Sequence, residues 1–254
     1  MRKLSMALLA GVALVGCGVD SQDENQEIIA NLVKAGFPAD DILVSDGDVY
    51  VGRDAHVTLA ASQEMLQPGK ESLEQYRTTN LVGSGVTKIC VIPTSQFNGY
   101  STLSAGLDLA IANYNSQNLQ FTMVRGSASD CSATISARTT SGTGGSAGFP
   151  TGGKPYGTIN IGTGLQSYST DVSEHVITHE LGHCIGFRHS DYYDRSISCG
   201  GAVSNEGASN VGAIHIPGTP TTASKGSSIM NSCFSASESG EWSSSDRTAL
   251  SYLY

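Results

Sequence analysis

The sequence predicts an α+β fold, and three observations carry that prediction. Between residues 86 and 185, short runs rich in β-branched residues alternate with two stretches of helical periodicity, as in an α/β-like subdomain. Residues 190–228 then lose regular periodicity and fill with turn formers. The chain closes on a short amphipathic stretch opened by Ser243 and Asp246, three residues apart as in a helix cap.

The first 17 residues read as a targeting segment. Arg2 and Lys3 precede an apolar run, Leu4 to Val15, that is too short to span a membrane. Leu14-Val15-Gly16-Cys17 resembles a bacterial lipobox, in which Cys17 is lipidated and becomes the mature N-terminus. Ordinary secretory cleavage near Gly16 or Gly18 is the alternative. The expectation is an exported protein, an outer-membrane lipoprotein or an extracellular one, that touches a membrane only through a lipid on Cys17. A net charge of −9 argues against nucleic acid as a partner.

Charge also marks a boundary. Residues 18–80 hold 12 of the 23 acids against four bases, whereas residues 81–254 are nearly neutral. An acidic pro-segment or accessory segment over 18–80 is therefore expected to precede a separate body over 81–254. Gln67 to Asn80 reads as the linker. In the acidic segment, Gln26 to Ala35 has a short helical face, and Ile42–Val44 and Val49–Val51 flank the turn residues Ser45-Asp46-Gly47-Asp48 as a hairpin.

In the body, Val86 to Pro93 is a buried-type strand. Ser101 to Ser116 is a helix whose Leu103, Leu107, Ala110, Ile111 and Tyr114 share one face. Leu119–Val124 and Ala133–Thr139 read as strands, Ser141–Gly153 as a mobile glycine-rich loop, and Thr158–Ile161 as an edge strand. Asp171 to Ile185 is a helix, with Asp171 as its cap and Glu174 completing a capping box. Gly186 supplies a left-handed stop.

Setting Cys17 aside leaves five cysteines, which suit an oxidising compartment. Two disulfides and one thiol is the simplest arrangement, with Cys90–Cys131 and Cys199–Cys233 favoured and Cys184 left inside the helix. Spacing alone does not decide the pairing.

The chemistry concentrates in the run His179 to His189. Residues four apart on a helix differ by about 40° in azimuth, so His179 and His183 face one metal ion. Glu180 sits beside them, within reach of a water on that metal. Gly186, free to take φ > 0, can break the helix and return His189 to the same point. Three neutral imidazoles and an open position make a catalytic Zn2+ site, where Glu180 serves as general base. Five specified positions in eleven arise by chance in a chain of this length with a frequency on the order of 10⁻⁵. His175, one turn before His179, is assigned a supporting role because His189 completes the triad.

These residues, with Ser228-Ile229-Met230 further on, resemble the metzincin zinc metallopeptidases, in which Met230 would form a hydrophobic floor beneath the ligands. Gly186-Phe187-Arg188-His189-Ser190-Asp191-Tyr192, Ser198-Cys199-Gly200-Gly201 and Gly212 to Pro220 narrow the resemblance to the bacterial dual-action HEIGH metallopeptidases, although Leu181 stands where that name has Ile. The resemblance implies a metzincin fold: a twisted, mostly parallel sheet with an upper-rim strand, an active-site helix, and an irregular C-terminal subdomain ending in a helix. It also implies a monomeric zinc endopeptidase acting on protein or peptide substrates. Substrate would pair with the strand near Thr158–Ile161 and place a side chain near Ile214 and Ile216. The tyrosine that some metzincins carry two residues past the Met is replaced by Ser232; Tyr192, Tyr193 and His215 are the other candidates for oxyanion support. Val49 to Asp54 resembles a pro-segment hairpin ending in a zinc-binding aspartate, which makes Asp54 the candidate latency switch. A non-catalytic zinc-containing surface lipoprotein and a hydrolase of non-peptide amides are the rival readings.

Overall fold

The computed structural model describes residues 21–66, 76–207 and 213–254; Cys17, most of the expected linker and Gly212 lie outside the described residues. The chain opens with helix α1 (Ser21–Lys34), whose first-turn acids and last-turn Lys34 match the helix dipole. Strands β1 (Leu43–Ser45) and β2 (Asp48–Val51) form the expected hairpin. Asp46 and Gly47 both have positive φ in its two-residue turn, as a type I′ turn requires. Strand β3 (Ala55–His56) and helix α2 (Leu59–Glu64) complete the segment. Ile28, Leu32, Phe37, Val49, Val51 and Met65 bury against one another, and Phe149 joins them from the body.

The body follows with β4 (Tyr76–Arg77), β5 (Lys88–Pro93), α3 (Ser95–Asn98), α4 (Ser101–Asn115), β6 (Thr122–Arg125), β7 (Ala133–Thr140), β8 (Gly145–Gly148), β9 (Thr158–Gly162), α5 (Thr170–Ile185), α6 (Ser196–Cys199), β10 (Ile214–His215) and α7 (Ser244–Leu253). The main sheet has the order β1-β2-β3-β8-β9-β7-β5-β6. Strands β6, β5, β7 and β9 are mutually parallel, and β8 runs antiparallel to β9. Two expectations fall here. Strand β9 is not an edge, because β7 and β8 flank it. The glycine-rich stretch is not simply a surface loop: its Gly145–Gly148 pairs as the rim strand of the body's sheet. That rim is itself covered by β3, which runs parallel to β8.

Helix α5 packs against β8 and β9 of the sheet and against α4, and Val172 to Ile185 are buried throughout, the all-round burial of a core helix. Its cap is Ser169, whose side chain accepts from Val172 N, and not Asp171 as expected. The helix starts earlier, and Asp171 falls in its first turn. Glu174 accepts a hydrogen bond from Asn113 on α4 (2.7 Å) instead of closing a capping box. Gly106 permits that helix contact, since a Cβ there would stand 2.9 Å from Glu174 N.

The disulfides Cys90–Cys131 and Cys199–Cys233 form, and Cys184 is a buried free thiol. Tyr76–Arg77 pair with Ile214–His215, and Asn80 is buried, so the linker ends earlier than expected. Among the described residues, no helix is long and apolar enough to cross a membrane.

Candidate metal centre and active site

Helix α5 delivers His179 and His183 side by side, with their Nε2 atoms 3.1 Å apart. Gly186 ends the helix at φ 111°, and its position against Asn80 O leaves no room for a Cβ. The chain then returns along the sheet segment, with Arg188 N donating to Tyr76 O (2.8 Å), and places His189 Nε2 at 3.3 Å from that of His179. Asp54 completes the group: its Oδ2 is 3.1 Å from His189 Nε2, and its oxygens lie 3.7 and 3.9 Å from His183 and His179. One ligand atom from each of these four residues falls within a 4.8 Å span.

The donor set fits zinc. His179 Nδ1 donates to Ile229 O and His183 Nδ1 to Phe187 O, both at 2.8 Å, while His189 Nδ1 meets Glu206 at 2.8 and 3.0 Å. With Nδ1 engaged in each ring, Nε2 is left to face the ion. Tetrahedral zinc–nitrogen bonds of about 2.0–2.1 Å imply nitrogens roughly 3.3 Å apart, which matches the spacing of the rings. Burial lowers the pKa of His179 to about 4 and of His183 to about 3, favouring the neutral, ligating form. At His189 burial acts in the same sense, but the Asp54 and Glu206 carboxylates outweigh it and raise the pKa to about 10. A metal ion binding there takes the place of that proton.

Met230 is buried directly beneath α5. A Cβ at position 182 would stand 2.6 Å from its Sδ, so Gly182 makes this approach possible. Asp246 of α7 pins the same turn: Oδ1 accepts from Ser228 Oγ (2.6 Å) and Oδ2 from Ile229 N (3.0 Å). Glu180 is buried beside the histidines, with no partner for Oε2, and burial followed by the nearby Asp54 pushes its pKa well up. Gly145 of β8 leaves room for this carboxylate, which a Cβ would overlap.

Glu206 was missed by the sequence reading. It is fully buried and accepts from His189, from Arg195 Nη1 (2.6 Å), from Ser232 Oγ (3.1 Å) and from Arg188 Nη2 (3.4 Å). These partners overcome desolvation and hold its pKa far below the usual range. As the one glutamate in residues 190–228 it could have been singled out, but nothing in the spacing ties it to His189.

The other candidates disperse. Tyr192 packs edge-on against Tyr76, Tyr193 Oη accepts from Ala223 N (2.7 Å), and His215 Nε2 pairs with Thr219 Oγ1 (3.1 Å). Ser232 donates to Asp191 and Glu206. Ile214 and Ile216 are buried and do not line the cavity at the metal centre. That cavity is lined instead by His175, Val176, Asn231, Ser232 and Phe234 beside His179 and Glu180, together with Gly144, Gly145 and, from the N-terminal segment, Arg53 and Asp54.

A family model described as dual-action HEIGH metallo-peptidase matches residues 49–254. No curated protein sequence matches the chain. Among solved structures, a crystal structure of myroilysin is 14% identical, covering 69% of this chain and 86% of that one, with a TM-score of 0.40. A second structure of myroilysin is 17% identical over 70% and 97%, with a TM-score of 0.44. High choriolytic enzyme 1, a hatching enzyme zinc-protease from the medaka fish Oryzias latipes, is 18% identical over 65% and 76%, with a TM-score of 0.36.

Proposed function

The chain belongs to the dual-action HEIGH metallopeptidase family, and from that premise we propose an exported zinc endopeptidase with Glu180 as general base and Asp54 as its latency switch. His179, His183 and His189 hold the ion. When bound, zinc supplies Lewis acidity that acidifies water and polarises the carbonyl of the bond to be cut. Glu180 takes the proton of the attacking water and passes it to the departing amine. The observation that carries this reading is the position of Glu180: a buried carboxylate with a free Oε2, lining the same cavity as His179. Substrate adds as a strand to the rim strand β8.

Residues 18–80 hold the enzyme latent in this reading. Support comes from β3, which occupies the rim of β8, and from the Asp54 carboxylate among the three histidines. Export and lipidation at Cys17 rest on the leader sequence; two disulfides suit the oxidising compartment this requires. Replacing Cys17 with alanine should release the protein from membranes, as read by fractionation. Retention of Cys17→Ala on membranes would rule out the anchor.

The enzymatic claim is tested on casein with the processed protein, with and without a zinc chelator. Cleavage is expected to stop in chelator and to fall about 10²–10⁴-fold in Glu180→Ala. Cleavage that survives either treatment would sink the mechanism, and a zinc-loaded processed protein that cleaves nothing would favour a surface-binding lipoprotein.

A further inference from the structure

We propose that the cavity beside the metal centre selects a primary carboxamide side chain, glutamine or asparagine, next to the bond that is cut; this rests on the peptidase reading above. The cavity measures about 220 Å³. Besides Glu180 Oε2 and Asp54 Oδ1 at the metal centre itself, two of its lining side chains, His175 and Asn231, hold buried polar atoms that have no partner. His175 is 3% exposed, and neither ring nitrogen makes a hydrogen bond. Asn231 is 2% exposed; its Nδ2 donates to Ser190 Oγ (2.9 Å), but its Oδ1 receives nothing.

Those atoms define what fits. A neutral imidazole offers one N–H donor and one acceptor nitrogen, and Asn231 Oδ1 offers a second acceptor. A primary amide supplies two N–H donors and a carbonyl, which answers both kinds of group. A carboxylate has no donor, an ammonium no acceptor, and a hydrocarbon neither. Val176 and Phe234 line the same cavity and give the aliphatic stem an apolar wall. His175 precedes His179 by one turn, about 6 Å along the helix, so a side chain held there belongs to a residue adjoining the reacting carbonyl. Burial alone keeps this imidazole neutral, with its pKa near 4.

The test uses the zinc-loaded full-length chain carrying Asp54→Ala. It is titrated by calorimetry with dipeptide hydroxamates differing only in a glutamine, glutamate, lysine or leucine side chain. The glutamine compound should bind about 10-fold or more tightly than each of the others, because a site built to hydrogen-bond rejects ligands that leave it unpaired. His175→Leu should bring the glutamine-to-leucine ratio near or below one, and His175→Gln should restore part of it, which a merely structural role would not do. Equal binding of the four, preference for lysine, glutamate or leucine, survival of the glutamine preference in His175→Leu, or no binding at all would each overturn the assignment. Calorimetry needs no turnover. Glutamine selectivity without casein cleavage would therefore fail the peptidase reading alone, and cleavage without selectivity would fail this inference alone.

Discussion

Three imidazoles that converge on one point need their far nitrogens held, and the chain does this in two ways. His179 and His183 donate to backbone carbonyls that their own helix end and the Met230 turn supply. His189 instead meets the buried carboxylate of Glu206, whose charge Arg188 and Arg195 balance. Glu206→Gln leaves two guanidinium groups facing a neutral amide. Zinc affinity is expected to fall about 10–100-fold in chelator competition, since partners of ligating histidines typically carry that much. Unchanged affinity would mean that His189 is oriented without it. At this scale legibility in the sequence was uneven. The histidines sit in one run of eleven residues, where helix spacing and one glycine foretell their meeting. Glu206 and Asn231 come from irregular chain held by the Cys199–Cys233 bridge, and no period announces where such residues point.

Among the elements, α5 is the one whose placement fixes the site, and its start is a testable detail. Ser169 caps it, so Ser169→Ala should cost about 1 kcal/mol in chemical denaturation. Asp171→Ala removes a favourable first-turn charge alone and should cost about 0.3–1 kcal/mol; a larger loss at Asp171 than at Ser169 would return the cap to Asp171. Glu174, on the same helix, offers a pH test. Burial, with Glu241 and Asp171 nearby, raises its pKa from 4.5 to about 7. The folded state therefore binds that proton more tightly than the unfolded state, and stability present below pH 4.5 is lost as pH rises towards 7. Glu174→Gln should be more stable than the parent at pH 8 by about 1–2 kcal/mol, a value reduced by solvent screening of the exposed Glu241 and Asp171, and little different at pH 4. A parent whose stability does not fall over this range would show that Glu174 stays ionised. The central strands and α4 announce themselves by periodicity. Strand β8 does not, because Gly145-Ser146-Ala147-Gly148 has neither bulk nor alternation; its pairing with β9 and its closeness to Glu180 select small residues.

At the scale of the whole molecule, the N-terminal segment and the body share one sheet and interlock at several points. Phe37 lies under the Arg188 guanidinium at 4.8 Å, Gly52 O accepts from Arg195 Nη1 (2.8 Å), and Phe149 buries within the N-terminal cluster. The N-terminal segment that makes these contacts also carries Asp54 to the histidines. The charge boundary near residue 80 gives the order of the two parts along the chain, but not that β3 would extend the body's sheet, because two residues carry no pattern of their own. The most direct measurement compares peptide cleavage by the zinc-loaded, unprocessed full-length parent with that by unprocessed full-length Asp54→Ala. If His179, His183 and His189 form a working centre closed by Asp54, the parent should be silent, whereas the variant should shed the N-terminal segment whose β3 covers the rim and cleave in a chelator-sensitive way. An Asp54→Ala chain as silent as its parent, while the processed protein cleaves, would contradict it.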